Sequence, residues 1–184
     1  MAPSVLDGYV QHRALASDIV EYLPLLYAYT RLYQEARVLE IGTRDGNSTL
    51  AFLAAALETG GHVWSVDLDP GVPGNPDGML PWKDDPRWTF TCGDAADPAV
   101  AACQPEQVDV LFIDAGHMYA ETKAELEIYM PRVRPGGTAL FHDTRLDWDD
   151  FGVRRALDFY CRLHDLAWHD LPGTYGLGVV TLAC

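Results

Sequence analysis

Residues 38–50 read VLEIGTRDGNSTL, and this stretch decides the fold. An apolar, strand-favouring run with one acid near its end comes first, the turn GTRDG follows, and a Ser/Thr-rich helix start comes last. Gly42 and Gly46 let the backbone turn tightly and approach a ligand closely. The first turn of the helix offers free backbone N–H groups. The stretch therefore predicts a strand–turn–helix unit whose turn binds a ligand.

The turn differs from G-x-G-x-x-G, the glycine-rich fingerprint of dinucleotide-binding proteins. Arg44 stands where the second glycine of that fingerprint belongs, and Asn47 stands where the third does. A pyrophosphate would meet these side chains and would be repelled by Glu40 and Asp45, whereas a cationic ligand would not be repelled. The turn is therefore predicted to bind a ligand that carries positive charge.

Composition limits the number of domains and the kinds of partner that the chain can have. The 184 residues are 48% apolar, which predicts one domain over residues 1–184, with a helical segment at 1–35 and a long Pro/Gly-rich loop at 69–87. The net charge of −14 would repel nucleic acid, so the expected partner is a small molecule. No apolar run reaches the roughly 18 residues that span a bilayer, so no membrane partner is expected.

The four cysteines predict a cellular compartment. Cys92, Cys103, Cys161 and Cys184 are scattered and form no C-x-x-C pair, so we expect buried, reduced thiols. Reduced thiols are typical of the cytoplasm, and the first residues lack the basic-then-apolar order of a signal peptide. The predicted location is therefore the cytoplasm.

Strand and helix patterns alternate along the chain, which predicts a mainly parallel sheet with helices on both faces. The predicted strands are 37–41, 62–67, 88–92, 108–113 and 138–141, with a closing hairpin at 167–171 and 176–182. The predicted helices are 15–33, 48–58, 98–103, 119–130 and 151–163. Pro24 is expected at a first turn or a break of the first helix, and RPGG at 134–137 is expected to end the fourth.

Acidic residues stand at or near the ends of four of these strands: Glu40, Asp67, Asp114 and Asp143. Ligands of open α/β sheets bind at the carboxyl ends of the strands, near the switch point, so these acids are predicted to form one site. Asp67 follows the glycine turn at the sequence spacing at which an acid accepts hydrogen bonds from ribose hydroxyls in dinucleotide-binding folds.

Two blocks, VLEIGTRDGNSTL and FIDAGHMYAETKAELEIYMPRVRPGGTALFHD, resemble class I S-adenosylmethionine (SAM)-dependent methyltransferases. The second block is similar to the subgroup of macrocin-type O-methyltransferases and cephalosporin-hydroxylase-type proteins. The resemblance implies a Rossmann-like, seven-stranded mixed sheet of order 3-2-1-4-5-7-6 with an antiparallel last strand. It also implies O-methylation of a small molecule. A non-catalytic SAM-binding protein, another transferase on the same fold and an NAD-dependent oxidoreductase stay open as alternatives.

The resemblance also implies which residues bind the cofactor. Residues of the glycine turn would hold the methionine part of SAM, Asp67 the ribose and Asp94 the adenine. The full predicted set is Glu40, Gly42, Thr43, Gly46, Ser48, Asp67, Leu68, Gly93, Asp94 and Asp114.

Members of these groups often hold Mg²⁺ with acids that end the fourth and fifth strands. The matching positions here are Asp114 and Asp143, with His142 as a further candidate ligand. Neighbouring strands lie about 4.8 Å apart, so two such carboxylates can share one cation. Where metal-dependent relatives carry an acid or Asn after the strand-five acid, this chain has Thr144. The alternative is a metal-free site in which Asp114 faces the methionine end of SAM.

His117 is the candidate for removing a proton from the methyl acceptor, because a neutral imidazole accepts protons near pH 7, and the alternative is a place beside the metal. Asp114 and Asp143 complete the predicted catalytic set. The candidate acceptor walls are Tyr119, Trp82 and Trp148, and the candidate extra metal ligands are Asp147, Asp149 and Asp150. The loop 69–87 is either a lid or a solvated insertion, and a homodimer could complete the acceptor pocket.

Overall fold

The computed structural model describes residues 4–14, 17–69, 84–146, 148 and 150–184. Within these residues the strands are β1 Arg37–Ile41, β2 His62–Asp67, β3 Trp88–Cys92, β4 Val108–Ile113, β5 Val133–His142, β6 Trp168–Leu171 and β7 Leu177–Thr181. The helices are α1 Val5–His12, α2 Leu23–Thr30, α3 Asn47–Thr59, α4 Pro98–Ala102, α5 Tyr119–Tyr129 and α6 Val153–Leu163, and a 3₁₀ turn covers Met130–Arg132.

The strands form one seven-stranded sheet of order β3-β2-β1-β4-β5-β7-β6. The first five strands pair in parallel, and β7 runs antiparallel to both β5 and β6. The predicted fold class and strand order are therefore confirmed. The strand order reverses between β1 and β4, so the carboxyl ends of these two strands mark the switch point where ligands bind.

Two apolar layers cover the two faces of the sheet. Because side chains alternate along a strand, Val38 of β1 joins the layer under α1, α2 and α3, whereas Leu39 and Ile41 join the layer under α4, α5 and α6. The central strand β4 is buried at every residue, as expected for a parallel strand covered on both faces. The rings of Phe52 in α3 and Phe112 in β4 pack 5.5 Å apart.

Within the described residues, only Leu23–Thr30 of the predicted helix over 15–33 is helical, and the expected first turn or break at Pro24 is confirmed. The chain makes turns over residues 18–22 and then begins α2 at Leu23, where Pro24 lies in the first turn. Proline suits that position because its nitrogen has no hydrogen to donate. The helical spacing of apolar residues continues across this break, because both segments pack on the same layer.

RPGG does not end helix α5. These residues belong to β5, which begins at Val133 and pairs with β4 through an irregular register between Val108 and Val110. Gly136 has a φ of 76° and allows this irregularity. The helix itself ends earlier, at the 3₁₀ turn around Pro131.

The cysteines of the described chain are all free thiols. Cys161 is buried, but Cys92, Cys103 and Cys184 are exposed, so the prediction of buried thiols is right at one position and wrong at three. Among the described residues, no helix combines the length and the apolar character needed to cross a membrane.

Candidate active site

Two cavities adjoin each other at the carboxyl ends of the strands. The larger has a volume of about 470 Å³ and the smaller about 300 Å³. Their shared lining consists of Gly42, Arg44, Asp114 and His117. The switch point between β1 and β4 therefore carries a divided site, with Asp114 and His117 where the two parts meet.

The glycine turn is wedged between the ends of β2 and β4. The Gly42 N–H donates to the Val66 carbonyl, and the Asp114 N–H donates to the Ile41 carbonyl. Gly42 has a φ of 92°, and a Cβ built on it would lie 2.1 Å from the Asp114 carbonyl oxygen. Only glycine fits at this position, because both the φ and the close approach exclude a side chain.

Asp67 ends β2 and holds the turn from the other side. Its Oδ2 accepts hydrogen bonds from the backbone N–H groups of Thr43, at 2.7 Å, and of Arg44, at 2.9 Å. The same carboxylate lines the larger cavity. Asp67 therefore faces the ligand space from a position fixed by the glycine turn.

The larger cavity brings together most of the predicted adenosine-binding residues. Leu68, Gly93 and Asp94 line it with Asp67 and Asp114. A Cβ on Gly93 would lie 2.6 Å from a methyl group of Val100, so glycine keeps this wall close to helix α4. Sequence reasoning missed Glu121 and Glu125 of α5, which line the same cavity.

Glu40 lies beneath the site and lines neither cavity. It is fully buried, and its carboxylate accepts hydrogen bonds from the hydroxyls of Ser48 and Ser65, each at 2.6 Å, and of Thr49 at 2.7 Å. Burial raises the pKa of Glu40 from 4.5 to about 7, against the opposing effect of these hydroxyls. Glu40 thus ties the start of α3 and the strand β2 to β1, instead of facing the ligand space.

The raised pKa of Glu40 has a consequence for stability. The folded protein holds this proton more tightly than the unfolded chain, so the free energy of unfolding falls as pH rises from 4.5 to about 7. We expect Glu40→Gln to remove about 3 kcal/mol of this fall. Urea unfolding of both proteins at pH 5 and pH 8 measures the difference. An equal pH dependence in the variant would contradict the assignment.

The smaller cavity contains the predicted Thr43 and Ser48, and the aromatic side chains of Trp148, Phe151 and Tyr175 form its outer wall. Gly46 lines neither cavity and instead is the N-cap of α3, with a φ of 72°. The predicted wall residue Trp82, most of the loop 69–87, and the candidate ligands Asp147 and Asp149 lie outside the described residues.

Sequence reasoning also missed the contribution of the N-terminal segment. Asp18 and Ile19 line the smaller cavity, and both carboxylate oxygens of Asp18 bind the Arg44 guanidinium, at 2.7 and 3.2 Å. This pair holds the N-terminal segment against the glycine turn. No local pattern could have indicated it, because the partners lie far apart in the chain.

A cluster of two aspartates and two histidines lies between the cavities. His117 Nε2 is 2.8 Å from Asp143 Oδ2 and 3.8 Å from Asp114 Oδ1. His142 Nδ1 is 3.3 Å from Asp114 Oδ1 and 3.2 Å from Asp143 Oδ1. The three predicted catalytic residues are therefore in contact with one another, and the predicted metal ligand His142 adjoins them.

Charge pairing sets the protonation of the cluster. Hydrogen bonding to Asp114 and Asp143 raises the pKa of His117 to about 10. Burial lowers the pKa of His142, but hydrogen bonds to the same carboxylates outweigh it and raise that pKa to about 10. Burial likewise opposes ionisation of Asp143, yet the two imidazoles hold its pKa well below the ordinary range. These pairings favour the imidazolium form of His117, in contrast to the neutral imidazole predicted from the sequence.

The donor set of the cluster fits a divalent cation. Asp114, His117 and Asp143 each offer one ligand atom, and these atoms lie within 4.8 Å of one another. His142 adds a buried side chain whose Nε2 has no hydrogen-bond partner among the described residues. Two carboxylates suit Mg²⁺, while imidazole nitrogens suit transition metals as well.

Comparison with known families agrees with this architecture. A family model described as a methyltransferase domain matches residues 39–144, which is more than half of the chain. The protein therefore belongs to this methyltransferase domain family. The family predicted from the sequence is confirmed, whereas the macrocin-type and cephalosporin-hydroxylase-type subgroup is a finer assignment and stays a prediction.

Solved structures share the fold over nearly the whole chain. The O-methyltransferase TomG from Streptomyces achromogenes, in complex with SAM, has a TM-score of 0.70 at 18% identity, covering 100% of this chain and 92% of that chain. An O-methyltransferase from Bacillus cereus, in complex with S-adenosylhomocysteine (SAH), has a TM-score of 0.66 at 20% identity, covering 97% and 91%. Identities this low establish the fold alone.

One curated relative matches a shorter stretch. The uncharacterized protein y4gI of Sinorhizobium fredii (strain NBRC 101917 / NGR234) is 38% identical over 67 residues. The match covers 36% of this chain and 7% of that protein, so the chain spans a small part of the relative's length.

Proposed function

We propose that this protein is a SAM-dependent methyltransferase that methylates an oxygen of a small molecule. The observation that carries the proposal is the divided site: two cavities meet at Asp114 and His117, one suited to the methyl donor and one to the acceptor. Membership of the methyltransferase domain family supports it. The SAM and SAH complexes of TomG and of the Bacillus cereus enzyme agree with the same cofactor.

The larger cavity is the proposed adenosine site. The methyl group of SAM is carried by a sulfonium, whose sulfur leaves readily as a thioether. The protein therefore needs only to bind SAM, align the acceptor and deprotonate the acceptor hydroxyl. Asp67 would accept hydrogen bonds from the ribose hydroxyls, and Asp94 would contact the adenine amine. Gly42 and Gly93 let the turn and the cavity wall pack closely against Asp114 and Val100, which fixes the walls that the ligand meets. The methionine end would pass Thr43 and Ser48 at the inner edge of the smaller cavity, where the Asp45 carboxylate of the turn would attract its ammonium group.

The smaller cavity is the proposed acceptor site, and its aromatic wall suits the apolar part of a small organic molecule. The acceptor oxygen would lie near His117, whose ring stacks on Phe151 at 5.2 Å between centroids. The imidazolium of His117 would release its proton when another positively charged group binds beside it, because a nearby like charge lowers the pKa of a histidine. It could then accept the hydroxyl proton, with Asp143 orienting the ring.

A bound divalent cation would supply a lower pKa for the acceptor hydroxyl. Asp114 and Asp143, two of the three residues whose ligand atoms cluster here, would hold it with His142 beside them, and His117 would stay outside the coordination as the base. Mg²⁺ is the proposed cation, because the two carboxylates provide oxygen ligands while other positions stay open for the acceptor.

Metal binding is expected to raise the melting temperature. A cation that binds only the folded protein, at a hundred times its Kd, adds about 2.7 kcal/mol, or roughly 5 °C or more for a chain of this size. Scanning fluorimetry with Mg²⁺ or Mn²⁺ should show this rise in the wild type and in Asp97→Asn, a matched control on the exposed cap of α4. It should be absent in Asp143→Asn. A rise of the same size in Asp143→Asn would contradict the metal site.

The proposed function is tested by methyl transfer itself. The protein is incubated with methyl-labelled SAM and a panel of sugar, phenol, polyketide and carboxylate acceptors, and label is followed into product. We expect transfer to at least one oxygen acceptor, and His117→Ala should slow it about a hundredfold or more. Because His117 also lines the larger cavity, SAH affinity should fall as well, but by less than the rate does. Label that enters no acceptor, or an undiminished rate in His117→Ala, would contradict the proposed catalysis.

A further inference from the structure

A third cavity, of about 490 Å³, opens beside the acceptor site and is rich in arginine. We call it the arginine cavity, after Arg145, Arg154, Arg155 and Arg162, which line it. Leu146 and Phe151 line both this cavity and the smaller active-site cavity, so the two spaces adjoin. A molecule in the acceptor site could therefore extend onto the arginines.

This cavity is rich in positive charge, whereas the chain as a whole is negatively charged. The protein carries 13 Lys and Arg against 27 Asp and Glu, yet four of the 13 gather here. Acids offset only part of this charge: Asp158 lines the cavity, and Asp170 pairs with both Arg145, at 2.8 Å, and Arg154, at 3.1 Å. A single carboxylate thus serves two guanidinium groups.

Two of the arginines have no carboxylate within ion-pair distance in the described part of the chain. Arg155 lies over the Tyr119 ring, 4.6 Å from its centroid, and the Arg162 Nε donates to the backbone carbonyl of Asp158 at 3.1 Å. Both residues are exposed and lie on the same face of α6, because seven positions separate them. Their guanidinium groups can therefore accept an anionic partner.

The start of helix α6 adds a second source of positive potential. Its N-cap is Gly152, which provides no side-chain cap, and the first turn holds Arg154 and Arg155 but no acid. Cations at a helix N-terminus oppose the helix dipole, whereas an anion there is stabilised by both the dipole and the free N–H groups. The local sequence is unfavourable for the helix alone and favourable for a bound anion.

We infer that the methyl acceptor carries a phosphate or diphosphate group, and that this group binds in the arginine cavity while the acceptor hydroxyl reaches the Asp114–His117–Asp143 cluster. Guanidinium forks bind phosphate oxygens in pairs, and several arginines suit a group of more than one negative charge. The inference deepens the proposed function and rests on it for the location of the acceptor.

Calorimetric titration of inorganic pyrophosphate into the full chain tests the site. We expect saturable binding that weakens as salt is added. Arg155→Gln and Arg162→Gln should each weaken it about tenfold, and the double variant about a hundredfold. Arg31→Gln is the matched control, because it removes the same charge from an exposed residue paired with Glu58 and lining none of the three cavities. It should bind pyrophosphate as the wild type does.

Several results would overturn the inference: no binding by the wild type, unchanged binding by the double variant, or an equal loss in Arg31→Gln. Tighter binding of succinate than of pyrophosphate would also overturn it, by moving the preference from phosphate to carboxylate. SAH is titrated into the same proteins as an independent readout. Normal SAH binding without pyrophosphate binding would overturn this inference alone, whereas absent SAH binding would overturn the proposed function.

Discussion

Replacing Asp67 with alanine is expected to weaken SAH binding about a hundredfold or more. A carboxylate that accepts hydrogen bonds from two ribose hydroxyls contributes roughly 1.5 kcal/mol or more for each, and about 2.8 kcal/mol is a factor of about one hundred. The loss should be larger still because Asp67 also holds the N–H groups of Thr43 and Arg44. Without that anchor the glycine turn would lose its fixed position at the cavity.

Calorimetric titration of SAH measures this effect. Glu127→Ala is a matched charge control, because Glu127 is exposed on α5, pairs with Lys123 and lines neither active-site cavity. The control should bind SAH within about twofold of the wild type. Asp67→Asn, which keeps the size of the side chain and loses its charge, should fall between the two. Wild-type affinity in Asp67→Ala would show that the adenosine site is misplaced.

Gly42→Ala should lower the melting temperature by roughly 10 °C or more, because a core position with no room for a side chain costs about 4 kcal/mol or more. The added methyl group would lie 2.1 Å from the Asp114 carbonyl oxygen, which is backbone of the central strand region and has little freedom to move. The φ of 92° adds strain of its own.

Gly60→Ala separates these two causes. Gly60 has a φ of 76°, but a Cβ added there would have Glu35 Cγ as its nearest neighbour, at 4.0 Å. This variant carries the strain without the crowding, so it should cost about 1 kcal/mol and lower the melting temperature by about 2–4 °C. Scanning calorimetry of both variants measures the contrast. Equal losses would mean that the close approach of Gly42 to Asp114 does not constrain the turn.

Strands β1 to β4 were predictable with their bounds, because each is a short run rich in β-branched, aromatic or other apolar residues and is closed by turn residues. Val108–Ile113 is buried at every position, and its apolar residues predict this for all of the strand except Asp109. β5 was predicted too short because Gly136 and Gly137 are typical of a loop. Pairing of Val133 with Val108 of β4, and backbone hydrogen bonds of Gly136 and Gly137 to Leu182, override that local preference.

Strand ends indicated where the site lies, because parallel strands bring their carboxyl ends to one edge. They could not indicate the direction of each side chain. Glu40 points into a buried group of hydroxyls drawn from α3 and β2, a tertiary arrangement that has no local signal. The ion pair between Asp18 and Arg44 was equally unpredictable, because it joins segments that are distant in the sequence.

The protonation of the cluster could not be predicted from the sequence either. A lone histidine near an acid has an ordinary pKa by default, and only the distances reveal that His117 and His142 share the same two carboxylates. The arginine cavity could not be predicted from the sequence for a related reason. The pair Arg154 and Arg155 is too short to be read as a basic patch, and only the fold brings Arg145 and Arg162 beside it.

The central claim is that the divided site binds SAM, and calorimetric titration of SAH into the chelator-treated protein tests it most directly. We predict a saturable, micromolar Kd with one site per chain, and tighter binding or an additional heat when Mg²⁺ is present. No binding of SAH with or without Mg²⁺ would contradict the claim and would leave the cavities at the glycine turn to a different ligand.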